Sequence, residues 1–245
     1  MIEKFKLKHF DIVSSEGEKD FATLMVDILG YKNSTFGKAK FFVKNFLKVK
    51  NLISDIEKID FEKVELNENS HIKRPSSIND IPYLAMLNLK GLIENESELS
   101  MSNYMARVIA ISTYSENRSS LYKPDSKSFN NYIENLLNVN MFDMVSLYTH
   151  ILKDVEETSK EWNERFMSVE VVDSYLEAAG GSGLSQFNVI NTIKSICEDF
   201  NVNDDDAMYK SYNIVMTNSY SKAYSGFIQE NIRVKKEAEY IAKQK

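Results

Sequence analysis

The chain holds one cysteine, three prolines, eight glycines and one tryptophan in 245 residues. Each scarcity excludes something. A lone Cys197 rules out a disulfide scaffold and any zinc site built from several thiolates. The prolines are Pro75, Pro82 and Pro124, so residues 125–245 carry no proline and permit long uninterrupted helices. No window nears the roughly 18 uncharged apolar residues of a membrane span. The opening MIEKFKLKHFDIV alternates charged and apolar residues and lacks the continuous apolar stretch of a signal peptide. A reducing cytoplasm, with Cys197 kept as a thiol, is the expected setting. Positive charge is also short. The net charge is −6 and the sequence pI is about 5.3, which argues against a general nucleic-acid binder.

What is present is the composition of a globular chain, with 43% hydrophobic and 27% charged residues. Residues 2–13 alternate Ile2, Phe5, Leu7, Phe10 and Ile12 with charged residues, the period of a strand. A short helix is predicted over 20–29. A longer one covers 34–58, and a second alternating segment covers 59–66. Together, residues 1–66 read as a small α+β portion. Residues 67–80 (NENSHIKRPSSIND) are polar and contain Pro75, and read as a linker.

Residues 81–245 read as a helical domain of seven or eight helices. Asp80 is a candidate cap for a helix with Pro82 at its first position. Further helices are predicted from Ser100 or Ser102, from Ser126, over Met141–Phe166, over Ser168–Ala179 and over Leu184–Phe200. Asp204–Asp206 read as acids at the start of a last helix running from Ala207 to about Gln244. The fold class expected is therefore mainly α: a multi-helix body with a small α+β N-terminal portion.

No catalytic set emerges. His9, His71 and His150 are isolated, and His150 reads as a half-buried ring with a backbone partner. Cys197 lies toward a helix C-terminus, where the dipole disfavours a thiolate, and reads as core. Gly180–Gly183 lacks the GK[ST] ending and preceding strand of a phosphate loop, and reads as a hinge. Asp204–Asp206 lack the glycine and final glutamate of a calcium loop. Glu156, Glu157, Glu161 and Glu164 lack the ExxH partner of a di-iron bundle. Five lysines and no acid lie between Thr35 and Ser54. Of these, Lys40, Lys44 and Lys48 form an i, i+4, i+8 stripe, read mainly as a solvated face. Trp162 sits in a polar helix segment, where it is an anchor or a partner contact. No cofactor and no metal are expected.

From residue 78 the order of segments is SINDIPYLAMLNLKGLIEN, YMARVIAISTYS, a loop with Tyr122 and Phe129 at its margins, two helices and a glycine-containing turn. LSQFNVINTIKSI and YKSYNIVMTNSY follow. This layout is similar to that of helical accessory proteins of tailed bacteriophages, such as tail assembly chaperones and small baseplate or virion components. The resemblance implies a non-enzymatic role in virion assembly or structure, in the host cytoplasm or the virion. It also implies a helical partner held in exposed apolar grooves. Expected partners are other phage structural proteins; the sequence leaves homo-oligomerisation open. The residues expected to make contact are Trp162, Phe166, Tyr220, Tyr224 and Phe227, with Lys40, Lys44 and Lys48 as an electrostatic patch. The alternative is a nucleic-acid-associated factor using the Lys38–Lys50 stripe, whose binding would fall steeply with salt.

Overall fold

Apolar residues spaced by three and four dominate the second half of the sequence, and helices form there. The structure, a computed structural model, describes residues 5–11, 72–95, 99–118, 120–169 and 188–244. Among them the chain is mainly helical, with seven helices and no strand. These are α1 (Tyr83–Glu94), α2 (Met101–Asn117), α3 (Lys127–Leu136), α4 (Met141–Met167), α5 (Asn188–Phe200), α6 (Asp204–Met208) and α7 (Tyr212–Gln244). The chain divides into two compact units. One comprises Met1–Pro75 with Asn88–Lys153, the other Ser76–Leu87 with Asp154–Lys245.

In the first unit α2 packs on α3. Ser126 caps α3 by accepting the Phe129 N–H at 3.2 Å. Tyr114 is fully buried against Tyr122, Phe129 and Tyr132, with edge-to-face rings 5.5–6.3 Å apart. Its hydroxyl bonds to the hydroxyls of Ser120 and Ser128, so the buried polar tip is satisfied. Buried Thr113 and Ser112 return their hydroxyls to the carbonyls four residues earlier, which hides two polar groups inside α2.

The expected strand over 2–13 is not what residues 5–11 form. Phe5 and Leu7 are both buried, as the alternation requires, but Leu7–His9 is a 3₁₀ turn. The backbone of this segment bonds to the α3–α4 connection. Leu7 N–H donates to Val139, Lys8 N–H to Leu137, and Met141 N–H to Phe5, at 2.9–3.0 Å. Two buried side chains two apart satisfy the strand pattern, yet no strand lies beside them among the described residues: the segment packs on α2, where Asp11 accepts the Ser102 N–H at 3.0 Å, and on the α3–α4 connection, and the chain turns instead of extending. The helices expected over 20–29 and 34–58, the strand over 59–66 and the helix over Ser168–Ala179 lie outside the described residues, apart from Ser168 and Val169.

The second unit corrects the last predicted helix. Residues 207–244 are not one rod: α6 ends at Met208 and α7 begins at Tyr212. Tyr83 N–H donates to the Lys210 carbonyl at 2.8 Å and Tyr212 N–H to the Ile81 carbonyl at 2.9 Å. These two bonds pair Pro82 with Ser211 as an isolated bridge and draw residues 209–211 out of helical geometry. Tyr83 and Tyr212 stack there, ring centroids 6.1 Å apart. Asp80 does not cap α1. It lies in a second 3₁₀ turn, Ile78–Asp80, and its carboxylate accepts the Ser76 hydroxyl at 2.8 Å. Asp204–Asp206 do sit in the first turn of α6, capped by the Asn203 side chain.

Candidate functional site

The five aromatic residues singled out from the sequence come together in the second unit. Trp162 and Phe166 are one turn apart on α4, with ring centroids 6.4 Å apart. Phe166 meets Tyr220 of α7 edge-on at 5.8 Å. Tyr220, Tyr224 and Phe227 follow along α7 at 6.1 and 6.5 Å. Spacings of four (Trp162–Phe166, Tyr220–Tyr224) and three (Tyr224–Phe227) place the rings of each helix on one face.

Burial varies along the run. Trp162 is only 3% exposed, and its indole N–H donates to the Asn79 side-chain oxygen at 3.1 Å. Arg165 covers its other side, with the guanidinium carbon 4.7 Å from the ring centroid. Arg165 is itself held by Glu161, one turn back. Trp162 is therefore an anchor. Past Val155 the surface of α4 is very polar, yet Val155, Thr158 and Trp162 form a buried line at i, i+3, i+7, which keeps this half of α4 seated. Phe166 and Tyr220 are half-buried, Tyr224 is 46% exposed, and Phe227 at the far end is half-buried again.

Beyond Phe166 the α4 and α7 faces part and leave an open groove of about 580 Å³. Among the described residues Phe166, Met167, Val169, Ala223 and Phe227 give it an apolar lining, and Gly226 and Asn163 also line it. Met167 stands 74% exposed at its rim. Met167, Val169 and Ala223 were not singled out from the sequence, because Val169 follows the end of α4 and Ala223 is small. Their apolar character was the only available signal, and it does not distinguish a rim from a core. The lysines of the expected electrostatic patch, Lys40, Lys44 and Lys48, lie outside the described residues.

A salt-linked edge supports α7 beside this groove. Asp199 of α5 accepts Lys222 at 2.7 Å and Asn218 at 2.6 Å, and Lys222 also donates to Ser195 at 2.6 Å. These hydrogen bonds, Lys222 first, hold the Asp199 carboxyl below its usual range.

Other candidates resolve into structural roles. His150 Nδ1 lies 2.8 Å from the Ser146 carbonyl in the same helix. Cys197 is half-exposed, not core: Ile196 takes the buried position and the thiol points to Asp204 at 3.3 Å. Desolvation and that carboxylate push the thiol's pKa up, which keeps it protonated. Among the described residues no group of three His, Cys, Asp or Glu side chains could hold a metal ion. No described helix is long and apolar enough to cross a membrane.

No protein-family model, no curated protein and no solved structure matches this chain.

Proposed function

We propose that this chain is a non-enzymatic interaction protein that takes an apolar helix of a bacteriophage structural protein into the α4–α7 groove, in virion assembly or as a virion component. The observation carrying this reading is the groove itself, with an aromatic floor continuous with a buried anchor. Rigid aromatic side chains beside a pocket supply contact area at low entropic cost, and such anchors concentrate binding energy. An amphipathic helix laid in an apolar groove is a recurring recognition mode. The sequence layout, similar to that of phage helical accessory proteins, supplies the phage context. Host cytoplasm and virion are the compartments that go with it.

Capture of virion proteins from infected cells tests the reading, with Met167→Asp and Gly226→Leu as variants. Both positions line the groove, Met167 is exposed, and a Cβ at Gly226 meets nothing within 4 Å, so folding is retained. The expected result is that the unaltered chain retains a tail or baseplate protein, that both variants lose it, and that mass spectrometry of purified particles separates a chaperone from a retained component. Identical capture by all three chains sinks the proposal.

A further inference from the structure

The aromatic run does not stop at the groove. Tyr224, Phe227, Asn231, Val234, Ala238 and Ile241 continue along α7 at alternating steps of three and four. That is the a/d repeat of a coiled coil, with Tyr224, Asn231 and Ala238 at a and Phe227, Val234 and Ile241 at d. Phe227 is shared with the groove. From Asn231 to Lys243 every side chain is exposed, including Val234 at 50% and Ile241 at 57%. A helix supported only by its own turns is marginal in water, so this apolar edge is suited to a partner rod.

We infer that the C-terminal half of α7 pairs with the same segment of a second copy as a parallel, in-register two-stranded coiled coil. Two features select a second copy. Asn231 is the one polar residue in the seam, and an asparagine at a single a position pairs with its own symmetry mate and fixes register and stoichiometry. Glu230 falls at g and Lys235 at the following e. In a parallel pair g faces e′ five residues on, so the two charges meet across the two-fold axis in both directions. The antiparallel pair instead sets g against g′, bringing the glutamates Glu230 and Glu237 together, and moves Asn231 away from its mate. Arg233 sits at c, outside the seam, and bridges Glu230 and Glu237 at 2.6 Å along its own helix. Ile232 at b and Tyr240 at c stay off the seam. Two and a half heptads is short for a coiled coil, so the association is weak, with a Kd on the order of micromolar.

Phe227 is the one described groove residue that the seam also uses, so groove and seam are tested with variants at other positions. Sedimentation equilibrium of the full chain tests the pairing, together with oxidation of a Val234→Cys variant in a Cys197→Ser background. The expected results are a monomer–dimer equilibrium and an interchain disulfide in the V234C chain. Val234→Asp with Ile241→Asp raises Kd at least ~100-fold, because two seam residues are charged. Asn231→Val tightens association and admits species larger than dimers. Met167→Asp, which tests the groove, leaves Kd unchanged. A monomer up to about 200 µM, far above a micromolar Kd, overturns the inference, including the case in which another segment of this chain covers the seam. A dimer insensitive to V234D/I241D, or one that forms no V234C disulfide, overturns it equally.

Discussion

The indole N–H of Trp162 donates to the Asn79 side-chain oxygen across 83 residues of sequence at 3.1 Å. One bond thus ties the polar half of α4 to the Ile78–Asp80 turn. Trp162 needs it, because a buried indole N–H without an acceptor carries a desolvation penalty.

Asn79→Ala removes that acceptor. The expected cost is about 1–3 kcal/mol of stability in the second unit. The chain has one tryptophan, so its fluorescence reports this unit directly. Chemical denaturation followed by Trp162 emission should move to lower denaturant. An unchanged midpoint contradicts the anchoring role.

The 3₁₀ turn at Leu7–His9 is predicted to be acid-sensitive. Lys6 N–H donates to His9 Nδ1 at 3.1 Å, which only a neutral imidazole can accept. Burial first, then the charges of Lys8 and Lys6, lower the His9 pKa from its ordinary 6.5. The unfolded chain therefore binds the proton more readily, and stability rises with pH across this interval. The turn's contribution is complete above about 6.5 and is lost as pH falls through the lowered folded value. Hydrogen exchange at the Leu7 and Lys8 amides, corrected for intrinsic rates, should accelerate between about pH 7.5 and 5. His9→Gln should abolish the pH dependence.

The α5–α7 edge responds at lower pH. Asp199 is held below its ordinary value of 3.8 mainly by Lys222, then by Asn218. A lowered folded carboxyl pKa means the contribution is full above that ordinary value and disappears as pH falls through the folded one. The pair is exposed, so added salt also weakens it. Asp199→Asn should flatten the acid limb of a thermal-midpoint-against-pH curve. A parallel curve for variant and parent refutes the assignment.

Phe129 is buried in the aromatic cluster of the first unit, 5.5 Å from Tyr114 and 5.1 Å from Tyr122 between centroids. Phe129→Ala should cost about 3–5 kcal/mol by loss of burial and by the cavity left. Calorimetry measures this as a lowered Tm, and a change within about 1 kcal/mol, typical of a surface site, contradicts the buried cluster.

The helices legible in the sequence were those with strong periodicity or a defined cap. Ser126 before Phe129, Tyr132, Ile133 and Leu136 marks α3, and the structure caps it there. Met141 to Phe166 marks α4 to within one residue. The failures are equally local. Phe5 and Leu7 alternate as in a strand, but period two over so few residues fits any short segment that buries alternate side chains. Ala207–Tyr212 looked helical because nothing there forbids a helix. The break comes from Ile81 and Tyr83, more than a hundred residues earlier. The aromatic candidates could be named from residue type alone. Their burial, from buried Trp162 to exposed Tyr224, could not.

Local chemistry written in the residues themselves determined that the described residues are mainly helical, that one cysteine cannot make a disulfide within the chain, and that aromatic rings lie on two of the helices. Propensity, capping and periodicity act over a few residues, so they survive without any knowledge of the partner. Folding alone decided that Asn79 satisfies Trp162, that residues 209–211 leave the helix, and that the α4 and α7 faces part to leave a groove. Each depends on groups far apart in sequence meeting in space, and a hydrogen bond or a packed ring exists only once both partners are in place.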